Sequence, residues 1–87
     1  MRYSIRIKRS AERELARIAK PQRRRIIDAI DRLADQPDAG SSLKGSLRGL
    51  RRIRVGDCRV LYEVLDGELI VLFVRVVRRR EAYRHSR

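Results

Sequence analysis

Apolar and polar residues alternate from the start of the chain. Tyr3, Ile5 and Ile7 fall on one side and Ser4, Arg6 and Lys8 on the other, the two-residue period of a half-buried strand. Beyond Lys8 the period lengthens. Ala11, Leu15, Ile18 and Ala19 recur at helical spacing, with Ser10 placed as the N-cap and with Glu12 and Glu14 where the positive end of a helix dipole favours acids. Pro21 interrupts that helix. A second helix restarts beyond it, carrying Ile26, Ile27, Ile30, Leu33 and Ala34 on its apolar face, and stops before Pro37. The two read as an antiparallel helical hairpin.

Residues 37–49 hold Asp38, Gly40, Ser41, Ser42, Gly45 and Gly49 and form the one long, turn-rich connection. Everything after it reads as sheet. A short arginine-loaded strand spans 50–55, Gly56-Asp57 marks a tight turn, and strands over 58–65 and 68–77 are joined by Asp66-Gly67 as a two-residue hairpin loop. The predicted order is β-α-α-β-β-β. It implies an α+β fold in which an N-terminal helical hairpin packs on one face of a small antiparallel-rich sheet, residues 1–87 forming a single domain. A two-residue turn would set Leu65 opposite Glu68, Leu61 opposite Leu72 on one face, and Val60 opposite Phe73 on the other. Both faces are then apolar at their centres. Two short helices cover one of them, leaving the other to a partner or to long arginine stems, and the small core of so short a chain favours the partner.

Composition narrows the function classes. The chain carries 23 Lys and Arg against 11 Asp and Glu, a formal charge of +12, yet 43% of it is hydrophobic, too much for a disordered basic tail. No stretch is long and apolar enough to cross a bilayer, and Met1-Arg2-Tyr3 leads into alternating charge rather than a signal-peptide core, so a soluble, cytoplasmic protein is expected. The single Cys58 and single His85 rule out an internal disulfide and a Cys/His metal site; no cofactor is expected. A polyanionic partner is, because cations bound to phosphates release counterions. All but Lys8, Lys20 and Lys44 of the cations are arginines, whose planar forks grip phosphate in a bidentate manner, although a GC-rich genome produces the same bias.

The charge is concentrated. Residues 48–59 hold five Arg and one acid, residues 75–87 six Arg and one acid, together +9 of the +12. Along the first window Arg52 and Arg54 share a strand face opposite Ile53 and Val55, and Arg59 follows the turn. The last strand returns antiparallel, bringing Arg79 back towards Arg59, so that Arg52, Arg54, Arg59 and Arg79 can converge on one pocket. Arg23, Arg24 and Arg25 sit at a helix start, against the dipole, and read as a general electrostatic contact. Cys58, Tyr3 and Tyr62 read as packing residues, and a histidine as close to the terminus as His85 is more often frayed than functional. No Ser/His/Asp set, Cys/His pair or paired carboxylates stand out.

Three runs carry a family resemblance: Leu43-Lys44-Gly45 to Leu50; Arg52-Ile53-Arg54-Val55-Gly56-Asp57-Cys58-Arg59-Val60-Leu61-Tyr62-Glu63-Val64; and Val76-Val77-Arg78-Arg79-Arg80-Glu81-Ala82-Tyr83-Arg84. Nearly the whole chain resembles the RelE/ParE toxin superfamily of type II toxin-antitoxin systems, and is most similar to RelE-like mRNA interferases. The resemblance implies a ribosome-dependent endoribonuclease that cleaves mRNA by attack of a ribose 2′-hydroxyl, needs no metal, inhibits translation, and is held inactive in a hetero-oligomer by a cognate antitoxin. Matched by motif, Arg52, Arg54, Arg59, Arg79 and Tyr83 would be catalytic. Lys44, Arg48, Arg51, Arg78 and Arg80, with Arg23, Arg24 and Arg25, would bind RNA or the ribosome. Many members read V-G-H-R where this chain has Val76-Val77-Arg78-Arg79. Two other readings stay open: a ParE-like inhibitor of DNA gyrase, and a basic nucleic-acid-binding module without catalysis.

Overall fold

A computed structural model describes residues 2–78. Five strands form one mixed sheet in the order β1-β5-β4-β3-β2, with two helices packed against it. Strand β1 (Ser4–Ile7) runs parallel to β5 (Ile70–Arg78), while β5, β4 (Cys58–Leu65), β3 (Arg51–Val55) and β2 (Ser41–Ser42) are antiparallel neighbours. Helix α1 (Arg9–Ala16) lies against β5 and α2 (Lys20–Leu33) against β3. The expected α+β architecture is therefore observed, with one more strand: β2 was hidden in the turn-rich connection because two serines carry no periodicity. No helix among the described residues is long and apolar enough to cross a membrane.

The core lies between the helices and one sheet face. Leu15, Ile18, Ile26, Ile30 and Leu33 meet Cys58, Val60, Tyr62, Val71, Phe73 and Val76. At its centre Tyr62 and Phe73 stand directly opposite on β4 and β5, both fully buried, their ring centroids 5.6 Å apart and tilted by 37°. Ile27, read as part of the apolar face of α2, is instead 49% exposed.

Both helix starts differ from expectation. Strand β1 makes its last ladder contact through the Lys8 N–H to the Phe73 carbonyl, and α1 begins at the next residue. Lys8, not Ser10, is the N-cap, and no side chain caps the helix, because no linker separates strand from helix. Pro21 does not break α1, which ends at Ala16; it occupies the first turn of α2, where its missing N–H costs nothing.

The Asp66-Gly67 hairpin is also corrected. Asp66 to Glu68 form a single 3-10 turn and Leu69 follows in the left-handed region at φ 55°, so four residues connect β4 to β5. Leu65 pairs with Ile70, Glu63 with Leu72 and Tyr62 with Phe73; then the register shifts, leaving Val74 as an extra residue, and Leu61 pairs with Arg75 and Val60 with Val76. The reason lies in β1. The Tyr3 hydroxyl donates to Asp66 Oδ1 at 2.6 Å and the Ser4 N–H to the Leu69 carbonyl at 2.8 Å, so the first strand holds the loop in its longer form. The assignment of Val60 and Phe73 to one face and Leu61 and Leu72 to the other survives the shift.

Among the described residues the outer edge of β5 has no strand partner beyond Phe73, and a carboxylate from α1 takes that place. Glu14 Oε1 accepts the Val76 N–H at 2.9 Å while Oε2 pairs with the Arg75 guanidinium at 2.7 Å. Charge-assisted bonds at a half-buried site are worth roughly 1.5–3 kcal/mol. Glu14→Ala is expected to lower stability by about 2 kcal/mol, and Glu14→Gln, which can still accept from Val76, by less. Urea unfolding with unchanged slope checks this; equal midpoints for wild type and Glu14→Ala would show that the edge needs no cap.

Candidate functional site

Alternation sorts the arginines of β3 and β4. Ile53 pairs with Val60 and Val55 with Cys58 on the helix side, so Arg52, opposite Leu61, and Arg54, opposite Arg59, project from the other face. Three guanidinium-bearing positions thus share one patch of a rigid sheet, as the spacing implied. Arg54 and Arg59 stand directly across from each other on the antiparallel pair, which sets two cationic side chains side by side on this face. A shallow concavity lies at the outer edge of β3, lined by Gly40, Ser41, Arg52 and Arg54 among others. The fourth predicted member, Arg79, follows directly after β5, where Arg78 pairs with Cys58. Arg79, Arg80, Tyr83 and His85 lie outside the described residues.

The same face carries an apolar band of half-buried Leu61, Leu65, Ile70 and Leu72, with Arg6 and Glu63 flanking Leu72 on neighbouring strands. Both helices lie on the opposite side. Among the described residues no helix covers this face, whose apolar centre the strand pattern anticipated.

The remaining predicted contacts scatter. Lys44 and Arg48 stand exposed on the loop between β2 and β3, which is closed by the Leu43 N–H to the Leu50 carbonyl. Arg24 and Arg25 are exposed on the first half of α2, whose first turn contains no acid. Arg23 is used internally, donating to the Ala16 carbonyl at the end of α1. Arg51 points away from the other arginines: it pairs with Tyr62 on the helix side, and its guanidinium is engaged by the 38–42 segment.

Several supporting residues gave no signal in the sequence. The Tyr62 hydroxyl donates to the Pro37 carbonyl at 2.8 Å and accepts the Gly40 N–H at 2.9 Å, a second role for a residue read as packing. Gly40 is obligatory there, because a Cβ would stand 2.5 Å from that hydroxyl and 2.7 Å from the Arg52 carbonyl. The Gln22 amide donates to the Val55 carbonyl and lies under Gly56, whose φ of 61° makes the β3–β4 turn. A glutamine on a helix gives no periodic sign of such a contact.

Cys58, buried beneath that turn, is a core residue as expected. Burial raises its thiol above the ordinary value of 9.0, with Asp57 adding to the rise and with Gln22 and Arg78 opposing it. The fold thus favours the protonated form; the stability this contributes is complete below pH 9.0 and is lost as pH rises through the raised native value. The urea midpoint of the wild type should fall as pH rises from 9.0 through that value, and that of Cys58→Ala should fall less over the same range. Superimposable pH profiles would exclude the thiol as the cause.

Residues 5–83 match the family model described as the ParE toxin of type II toxin-antitoxin system, parDE. The chain is 31% identical over 84 residues to the Toxin RelE of Mycobacterium tuberculosis (strain ATCC 25618 / H37Rv), covering 94% of this chain and 87% of that protein. Its fold is similar to that of the M. tuberculosis toxin-antitoxin complex RelBE2, with TM-score 0.84, 27% identity, and coverage of 91% of this chain and 100% of that one. It is also similar to the archaeal RelE-RelB complex of Pyrococcus horikoshii OT3, with TM-score 0.75, 26% identity, and coverage of 91% and 97%. A mutant of Escherichia coli toxin RelE in the free state shares the fold at TM-score 0.79 and 19% identity, over 99% of this chain and 93% of that one.

Proposed function

The chain belongs to the ParE toxin family of type II toxin-antitoxin systems, and on that premise we propose that it is a RelE-like, ribosome-dependent endoribonuclease that cleaves mRNA and so inhibits translation. The observation that carries this reading is the shared face of Arg52, Arg54 and Arg59 on adjacent strands, with Arg79 and Tyr83 in the chain just beyond β5. In the proposed reaction a ribose 2′-oxygen bonds to the adjacent phosphorus as the bond to the 5′-oxygen breaks. The 2′-hydroxyl gives up its proton, the 5′-oxygen gains one, and the products end in a 2′,3′-cyclic phosphate and a 5′-hydroxyl. Arg59 and Arg79 would hold the charge that builds on the phosphate oxygens, where one well-placed donor is worth about a hundred- to a thousand-fold in rate. Arg52 and Arg54 serve the same electrostatic role, since a protonated guanidinium donates hydrogen bonds and has no lone pair with which to accept a proton. Tyr83 would stack on a base or exchange a proton. Such a weak acid-base set suits an enzyme that takes substrate alignment from the ribosome.

A cognate antitoxin completes the proposal. The RelE relatives of known structure in M. tuberculosis and P. horikoshii are complexes with an antitoxin. On this chain the apolar band beside the arginines suits an acidic amphipathic segment, with burial supplying affinity and charge supplying orientation. Leu72→Asp should weaken that complex at least tenfold by calorimetry while circular dichroism shows the fold retained; unchanged affinity would move the interface elsewhere.

A second reading, inhibition of DNA gyrase by binding alone, is favoured by the family model itself, which is named for ParE. Mapping mRNA ends on translating ribosomes beside a supercoiling assay separates the two. Cleavage that leaves 5′-hydroxyl ends, lost by a hundred- to a thousand-fold in Arg79→Ala and kept in Arg32→Ala, is the expected result. Intact mRNA with blocked supercoiling would establish the gyrase reading. Products with 5′-phosphate would point to an activated water and exclude the 2′-hydroxyl route. Equal losses in the two variants would make general charge, and not Arg79, the cause.

A further inference from the structure

Arg51 is the arginine of β3 that the strand period turns away from the candidate site. Its side chain is half-buried, and its guanidinium is committed to protein acceptors on one short segment. Nε and Nη2 donate to the Gly40 carbonyl at 3.1 and 2.8 Å, Nη2 also to the Asp38 carbonyl at 3.1 Å, and Nη1 to Ser42 Oγ at 3.0 Å. A phosphate would have to displace these bonds. A second side chain holds the same segment from below, the Tyr62 hydroxyl joining the Pro37 carbonyl and the Gly40 N–H. Residues 37–42 are thus strapped to β3 and β4 at both ends of Gly40.

The strap reaches the site through its backbone. A Cβ on Gly40 would meet the Arg52 carbonyl at 2.7 Å, and β2 covers the outer edge of β3 only at Arg51 and Arg52. Past Arg52 that edge has no strand partner among the described residues, and the next support there is the Gln22 amide on the Val55 carbonyl. The direction of Arg52 and Arg54 therefore depends on how firmly the strap is held. From this geometry we infer that Arg51 is a positioning residue: it clamps the 38–42 segment against β3 and so aims Arg52 and Arg54, and it makes no contact with RNA. These four bonds use three nitrogens spread across a planar fork, a reach that a lysine ammonium, whose three donors sit on one nitrogen, does not match.

The inference rests on the nuclease reading for its catalytic consequence but not for its test, which has two arms. In the first, binding of a single-stranded oligouridylate is followed against salt concentration. Arg52→Met should reduce the slope of log affinity against log salt by close to one phosphate contact, whereas Arg51→Met leaves it at the wild-type value and speeds amide exchange at Arg52 to Arg54. In the second, cleavage is measured at saturating ribosomes. Arg51→Lys, which keeps the charge, and Tyr62→Phe, which has no charge to lose, should each slow the saturated rate at least tenfold without altering the ribosome concentration at half-saturation. A reduced salt slope in Arg51→Met, or full rescue of cleavage by Arg51→Lys, would make Arg51 an RNA contact and overturn the inference. Absence of cleavage by the wild type would instead refute the nuclease reading and leave the first arm to decide the role of Arg51. Should Arg51→Met not fold, Arg51→Lys and Tyr62→Phe carry the exchange measurement in its place.

Discussion

A strand of this sheet that packs on the helices buries every second residue, and the placement of the arginines of β3 and β4 follows from that period being kept through β3, the Gly56 turn and β4. Ile53, Val55, Cys58, Val60 and Tyr62 turn towards the helices, which sends Arg52, Arg54 and Arg59 to the opposite face. A slip of one residue would exchange the two sets. Burying three guanidinium groups would cost several kcal/mol each, against a total stability of about 5–15 kcal/mol for a domain of this kind. The register is consequently among the most strongly specified features of the molecule, and the face on which the candidate site lies is set by the core behind it.

This explains which parts of the structure were legible beforehand. Alternating or continuous apolar runs bounded by turn residues announce strands, so β1, β3, β4 and β5 were found with their faces correctly assigned. Serines 41 and 42 bury nothing, and β2 exists only because β3 offers an edge on which to pair. The β4–β5 loop was misread for a related reason. Asp66-Gly67 has the local chemistry of a two-residue turn, but Tyr3 and Ser4, more than sixty residues earlier, tie down Asp66 and Leu69 and thereby choose the longer loop. Long-range contacts overrode a local preference, as they did at the start of α1.

The candidate site divides in the same way. Arg52, Arg54 and Arg59 could be placed together from strand spacing alone, because the antiparallel ladder converts sequence separation directly into proximity. The side chains that steady them could not. Gln22, Gly40 and the Tyr62 hydroxyl act through contacts to backbone atoms distant in sequence, and such contacts leave no periodic trace. Arg51 shows the limit most clearly: in composition it is one more cation in a basic window, and only its parity in β3, opposite Tyr62 and not Leu61, separates it from its neighbour Arg52.

With a formal charge of +12 on 87 residues, the folded chain confines cations that repel one another. Some of that charge is neutralised or put to use internally: Arg75 by Glu14, Arg2 by Asp31 and Asp35, Arg23 on the last turn of α1, Arg51 on the strap. Elsewhere it sets cations close together, with Arg54 directly across from Arg59 and with α2 beginning without an acid in its first turn. Each of these arrangements lowers the stability of the isolated chain and raises its attraction for a polyanion. On the proposed reading the two effects act together, because an acidic antitoxin that covers the arginine face would relieve the repulsion and occupy the catalytic groups in one step. The stability of the complex and the silence of the toxin would then have a single electrostatic origin.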